Sequence, residues 1–281
     1  MNLHLRRSLL AAAAVLAGSF SLAGCSADVA AQWQRFGLKE PASDRAPYMG
    51  DMWAGTWIAA LVVGVFVWGL IAWVVIRYRR RPGDPEQPRQ TKYNLPLELL
   101  YTLVPFLIIS VLFFYTVQTQ NTVLAKETKP QHTITVVAQK WSWTFSYLES
   151  ANSDVGTDVH DVGTIDKIPD LYLPVDESVR FNLSSADVIH SFYVPGFYFK
   201  LDVIPGLANS FDLTPNKLGD FQGRCAELCG TYHSAMLFNV HVVSKADYIA
   251  HLNALKASGQ VGEIKAPQYP NTVPSAPAKE K

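Results

Sequence analysis

Residues 225–236 read Cys-Ala-Glu-Leu-Cys-Gly-Thr-Tyr-His-Ser-Ala-Met, so two thiols, an imidazole and a thioether fall at the spacing C-x3-C-x3-H-x2-M. Soft sulfur ligands joined by a ring nitrogen suit copper. A mononuclear electron-transfer site needs one cysteine, with histidine and a weak axial methionine. Here a second cysteine follows four residues after the first, and two thiolates can bridge two metal ions and share their charge. Cys225, Cys229, His233 and Met236 therefore predict a binuclear copper centre, provided a further histidine arrives from elsewhere. His190, in Asp187-Val188-Ile189-His190-Ser191-Phe192, opens a strand-like aromatic segment upstream and is the best candidate. His132 and His241 lie in alternating strand-like runs, His160 in a loop and His251 on a helix, and each competes less well. Two other readings of the cysteine pair are a disulfide, natural in an exported domain, and a zinc site. His233 and Met236 at tight spacing argue against the first, and methionine is a poor zinc ligand.

Composition bounds the rest. Of 281 residues, 49% are hydrophobic and 17% charged, and the apolar excess gathers toward the N-terminus, which reads as membrane segments more than as one large core. Formal net charge is zero, so no electrostatic case exists for a nucleic-acid partner. Cys25, Cys225 and Cys229 are the only cysteines; if the last two hold metal, no pair remains for a structural disulfide.

Several elements must position the loop. Residues 1–24 carry Arg6 and Arg7 before an apolar run and predict an export signal. The run ends Leu22-Ala23-Gly24-Cys25, which resembles the lipobox of bacterial lipoproteins and implies acylation of Cys25 and an N-terminus anchored to the bilayer. Residues 25–50 read as an exterior linker. The segment 51–124 predicts a transmembrane hairpin, with spans at about 53–76 and 97–117. Arg77, Arg79, Arg80, Arg81, Arg89 and Lys92 between them mark a cytoplasmic loop, so both outer ends face outward, in agreement with the exported N-terminus. Pro105 falls inside the second span, to be tolerated there by kinking or packing. Glu98 sits at that span's cytoplasmic start; a carboxylate there either rests in the headgroup layer near a helix N-terminus or has a task.

From Thr133 the period changes to two, with strands expected near 132–138, 171–175, 179–184, 189–194, 210–213 and 237–243. Pro and Gly punctuate them, which indicates a β-sandwich or barrel over residues 128–258. Trp141 and Trp143 alternate and fall on one face of a strand. Residues 148–168 predict a long exposed loop, 245–257 a helix, and 259–281 a disordered tail.

Taken together, these motifs resemble subunit II of the haem–copper cytochrome c oxidases. The metal loop, the upstream D-V-I-H-S-F-Y-V-P, K-L-D-V-I-P-G, the W-S-W stretch and N-L-P-L-E-L-L-Y-T-L-V-P match in order over residues 45–250. The resemblance implies a two-helix membrane hairpin followed by a cupredoxin-like β-sandwich, with the binuclear centre called CuA. It implies that Cys225 and Cys229 bridge two copper ions, and that His190 and His233 each bind one. Met236 is implied as a weak ligand of one ion and the backbone carbonyl of Glu227 as a ligand of the other. The Glu227 side chain would reach a magnesium or manganese ion shared with subunit I. Glu98 matches the mouth of a proton pathway into subunit I, and Trp141 the residue where electrons arrive. Asp187 and Asp202 match acidic positions near the metals and the docking face.

The activity implied is acceptance of electrons from cytochrome c and their delivery to haem in subunit I, where oxygen is reduced to water and protons are pumped. The place implied is the bacterial cell membrane, with the copper domain on the outer side. Ser146 and Ala186 stand where the family often carries acids that steer a basic soluble cytochrome c. The lipobox, the phrase R-C-A-E-L-C-G-T-Y-H and the 148–168 insertion resemble the actinobacterial branch, where the donor is a cytochrome c domain tethered within a cytochrome bc complex. A different class of function fits the same ligands: a membrane-anchored copper-binding or chaperone lipoprotein with no electron-transfer role.

Overall fold

In a computed structural model, residues 27–88 and 90–267 are described. The export signal expected at 1–24, Cys25 with its acylation, and the tail from 268 onward lie outside the described residues.

The chain divides into two units, at Lys39 and Glu40. The first contains α1 (Ala27–Gln34), with Asp28 in its first turn, where an acid complements the helix dipole. Residues 25–50, expected as a linker, thus hold a helix and also the start of the next one.

The second unit opens with two long helices, α2 (Ala46–Arg77) and α3 (Leu95–Val123), both long and apolar enough to cross a membrane. At 32 residues, α2 measures about 48 Å. It begins seven residues before the expected span, because Pro47 sits in its first turn, where its missing N–H costs no hydrogen bond. The polar turn Gln118–Val123 carries α3 past the expected end at 117. The helix passes through Pro105 without interruption.

Two five-stranded sheets follow. The first is ordered β3-β2-β1-β5-β8, from β1 (His132–Gln139), β2 (Ser142–Tyr147), β3 (Val159–Val162), β5 (Val179–Ser185) and β8 (Asn209–Leu213). The second is ordered β4-β10-β9-β6-β7, from β4 (Asp170–Pro174), β6 (His190–Val194), β7 (Phe199–Val203), β9 (Gly219–Cys225) and β10 (Leu237–Val243). β1 runs parallel to β5 and β10 parallel to β4, and the remaining pairs are antiparallel. This is a β-sandwich of the cupredoxin type. Its core is aromatic: Trp143, Phe192 and Phe238 meet edge-to-face or stacked, and Phe181, Phe199 and Phe211 extend the cluster. Gly223 faces Phe238 across the β9–β10 ladder, and a Cβ there would fall 2.0 Å from the ring. That close approach requires glycine at 223, and pairing with β10 and β6 makes a strand of Gly219–Cys225, where sequence periodicity shows little.

Residues 148–168 are not one exposed loop. β3 forms within them and pairs with β2, with Val155, Val159 and Asp161 buried. Order also continues beyond Ser258, where disorder was expected. Val261 bridges Val159, the Glu263 carboxylate accepts from Thr135 Oγ1 at 2.7 Å, and the Ile264 N–H donates to Ser146 Oγ at 3.0 Å. Helix α4 (Lys245–Ala257) is capped by Ser244 and packs Tyr248, Leu252 and Leu255 into the core.

Both passages between hairpin and sandwich are pinned. On one side the Ala42 N–H donates to Gly196 O at 2.8 Å, Ser43 Oγ to Phe197 O at 3.1 Å, and the Asn216 N–H to Ala42 O at 3.2 Å. Arg45 then donates to Thr122 O and Ala125 O at 2.8 and 3.2 Å, satisfying carbonyls at the end of α3. On the other side Asp212 holds Arg180 in a two-pronged pair at 2.8 Å and accepts the Glu127 N–H at 2.6 Å.

Candidate metal centre

β6 and β9 are neighbours in the second sheet, with Phe192 opposite Cys225, so His190 enters the same end of the sandwich as the loop that leaves β9. The loop is held by two backbone bonds, Cys225 N–H to Met236 O and Ala226 N–H to Ser191 O, both at 3.0 Å. A turn of 3-10 helix at His233–Ala235 brings His233 and Met236 back toward the cysteines.

The donor atoms converge. Cys225 Sγ and Cys229 Sγ are 3.8 Å apart, both free and both buried. His190 Nδ1 lies 3.8 Å from Cys225 Sγ, and His233 Nδ1 lies 3.4 Å from Cys229 Sγ. Met236 Sδ is 3.7 Å from Cys229 Sγ, and the Cys225 thiol donates to Glu227 O at 3.2 Å. Two sulfurs sit at the centre, then, with a nitrogen beside each, a thioether on one side and a carbonyl on the other. Among the described residues, His190, Cys225 and Cys229 form the single cluster of three such ligands within 4.8 Å.

Electrostatics favours a cation between the thiols. Burial pushes the Cys225 thiol up, but His190 beside it and nearby backbone bonds outweigh burial and bring it down. Burial and the charge of Cys225 both push the Cys229 thiol up. One thiolate forms readily, and the second requires positive charge beside it. This donor set fits two copper ions: thiolate, imidazole and thioether are the soft and intermediate ligands copper takes.

The ring of neighbours is ordered as well. Asp187 Oδ1 is 2.8 Å from His190 Nε2, leaving Nδ1 turned to the cysteines, and Asp187 Oδ2 accepts the Lys140 N–H at 2.7 Å. Trp141, in the turn before β2, donates Nε1–H to Cys229 O at 3.2 Å. Trp143, one step into the strand, is fully buried and donates to Met236 O at 3.4 Å. Both indoles therefore face the loop, one at the surface and one in the core.

Other expected residues have different settings. Glu227 contributes its carbonyl to the cluster, and the residue as a whole is half-buried. Glu98 lies far along the hairpin and accepts the Asn94 N–H at 3.0 Å, while Asn94 Oδ1 accepts the Leu97 N–H at 3.3 Å. The two side chains form a reciprocal helix cap. Asp202 pairs with Ser191 across β6–β7 and lies 3.5 Å from Lys200. His132, His160, His241 and His251 make protein contacts away from the cluster. Ser146 is fully buried beneath residues 263–264, so an acid there would not reach the surface. Tyr232 and Gly230, which flank Trp141, carried no signal in the sequence beyond their place in the loop.

Comparison with known proteins follows the same lines. The family described as "Cytochrome C oxidase subunit II, periplasmic domain" matches residues 132–243. A probable cytochrome c oxidase subunit 2 of Streptomyces avermitilis is 43% identical, covering 93% of this chain and 91% of its own length. The cytochrome c oxidase subunit 2 of Corynebacterium glutamicum is 33% identical over 97% of this chain and 91% of its own length. The crystal structure of the periplasmic domain of subunit II from Bradyrhizobium japonicum aligns at 29% identity with a TM-score of 0.40, covering 46% of this chain and 96% of that one. Identity of this extent along nearly the whole length, hairpin and metal loop together, makes the chain a member of the cytochrome c oxidase subunit 2 family.

Proposed function

We propose that this subunit accepts electrons from a cytochrome c and delivers them to haem in subunit I of a proton-pumping oxidase. The observation that carries this reading is the pair of free thiols 3.8 Å apart with a histidine Nδ1 beside each. Cys225 and Cys229 would bridge two copper ions, His190 and His233 would hold one each, and Met236 and the Glu227 carbonyl would complete the set. Such a pair supplies one-electron redox chemistry, with the added charge spread over two metals. The chain's own residues do the rest. Asp187 orients the His190 ring, the burial of His190, Cys225, Cys229 and Met236 keeps these donors from water, and Trp141 presents an indole bonded directly to the backbone of Cys229.

The Glu227 carboxylate would take a magnesium or manganese ion together with subunit I. Glu98 would receive protons at the mouth of a pathway into subunit I. The copper domain would stand outside the bacterial cell membrane, with acylated Cys25 adding an anchor. The sequence features shared with the actinobacterial branch support a donor tethered in a cytochrome bc complex, which needs little steering by charge.

Metal analysis of the full-length chain in detergent tests the reading. The expected result is two copper ions per chain and a purple, binuclear spectrum. Cys229→Ser should lose that spectrum while the hairpin stays in the membrane. A single copper in a blue site overturns the binuclear assignment. Rapid loss of copper to a chelator in both redox states would favour a copper store or chaperone instead.

A further inference from the structure

Tyr232 lies in the metal loop immediately before His233, yet none of its atoms belongs to the donor set. Its ring is half exposed and meets the Trp141 indole edge-to-face, with centroids 5.0 Å apart and planes at 80°. The indole also lies against Gly230, whose φ is +121°. A Cβ at Gly230 would stand 3.2 Å from both Cζ2 and Nε1 of Trp141. The indole N–H is directed at the Cys229 carbonyl. Trp141 is thus clamped by two contacts, with a residue where any side chain would crowd it and with one whose ring meets it edge-to-face.

A half-exposed tyrosine on a metal loop is not held there by core burial. What it does contribute is a wall beside the indole. Aromatic edges carry partial positive charge and seat against a ring face, giving direction as well as contact. Without that wall, the indole of a turn residue regains side-chain freedom and its N–H gains access to water.

We infer that Tyr232 is the positioning residue that holds Trp141 against the metal loop and fixes the spot where electrons arrive. The second half of this statement rests on the role proposed above for Trp141; the first half does not. The metal-free and metal-loaded proteins therefore test different parts of it.

The experiment uses the full-length chain in lipid nanodiscs, labelled with 15N-tryptophan. Seven indole N–H signals are expected, and Trp141→Phe identifies the one from Trp141. In the metal-free chain, Tyr232→Ala and Tyr232→Leu should each speed solvent exchange of that N–H by about fivefold, and Tyr232→Phe should leave it unchanged. Exchange within twofold of the parent in the alanine variant, or full protection by leucine, overturns the positioning role. In the copper-loaded oxidase, Tyr232→Ala should slow reduction by the donor, and Tyr232→Phe should restore it. If Trp141→Phe itself leaves reduction by the donor unaltered while the exchange results hold, the role of Trp141 in electron acceptance fails and the clamp stands.

Discussion

The Asp187 carboxylate joins two parts of the site: one oxygen lies 2.8 Å from His190 Nε2 and the other accepts the Lys140 N–H at 2.7 Å. Burial pushes the Asp187 carboxyl up, but His190 and the N–H groups of Lys140 and Val188 outweigh it and hold it down. The ionised carboxylate fixes the His190 tautomer and ties this imidazole to the turn that carries Trp141. Asp187→Ala should weaken copper binding by about 10–100-fold, as loss of an outer hydrogen bond to a histidine ligand does. Asp187→Asn, which keeps one oxygen acceptor, should weaken it less. Competition with a copper chelator measures both, and equal affinity in all three proteins would contradict the role.

A second prediction concerns stability and pH. His132 is buried between Glu149 and Glu177, with each carboxylate oxygen 2.6 Å from a ring nitrogen, and Tyr248 donates to Glu149 at 3.0 Å. Asn152 also donates to Glu149, and Lys245 pairs with Glu177 at 3.2 Å. Burial lowers the His132 pKa, but the two carboxylates outweigh it and raise it above 6.5. Burial raises Glu149 and Glu177, and their partners bring both below 4.5. The histidine's contribution is complete below 6.5 and fades as pH rises through its raised folded value. The acids' contributions are complete above 4.5 and fade as pH falls through their lowered values. The cluster therefore stabilises most between those limits. His132→Ala should cost about 3–5 kcal/mol near pH 5.5, since it removes the cation shared by the two carboxylates and leaves the buried Glu149 with only the neutral donors Asn152 and Tyr248. The gap in melting temperature from the parent should narrow by pH 8.5, and a gap that widens instead would refute the assignment.

The link from α3 to the sandwich yields a third. Asp212 has no exposed side-chain surface and serves both Arg180 and the Glu127 N–H. Asp212→Ala should destabilise the domain by about 3–5 kcal/mol and open residues 124–131 to protease. Unfolding by denaturant and limited proteolysis of the full chain provide the two measurements.

Glu98 offers a fourth, because its structural and proposed roles separate. Glu98→Gln keeps an oxygen that can accept the Asn94 N–H, so α3 should fold and insert normally. It removes the titratable group. Oxygen uptake should slow while reduction of the copper site by the donor proceeds at the parent rate. Unchanged turnover would leave Glu98 as a helix cap alone.

The convergence of Cys225, Cys229, His233 and Met236 was legible in sequence because soft-metal chemistry asks for such residue types at short spacing, and the expectation that His190 would join them followed from the need for one more nitrogen. Strands with alternating apolar residues, such as Val179–Ser185 and Leu237–Val243, were legible for the same local reason. What escaped were features created by distant partners. β3 forms because β2 offers an edge, and residues 259–266 are ordered because Ser146, Thr135 and His160 receive them. The absence of an acid at Ser146, which read in sequence as a weakened docking face, has a packing cause, since that side chain lies beneath the C-terminal segment. Tyr232 and Gly230 were invisible because a clamp is a relation among three residues, and only two of them share the loop.

The strap at Ala42–Arg45 has a consequence for the order of biogenesis. It leaves the ribosome before either long helix, yet its partners are Thr122, Ala125, Gly196, Phe197 and Asn216, all synthesised later. It can lock only when α3 is complete and the strands as far as β8 have emerged. Assembly of the sandwich onto the hairpin is therefore a late event, and a chain stalled before residue 196 would have a finished hairpin with Arg45 able to reach the end of α3 but Ala42 and Ser43 still without their partners.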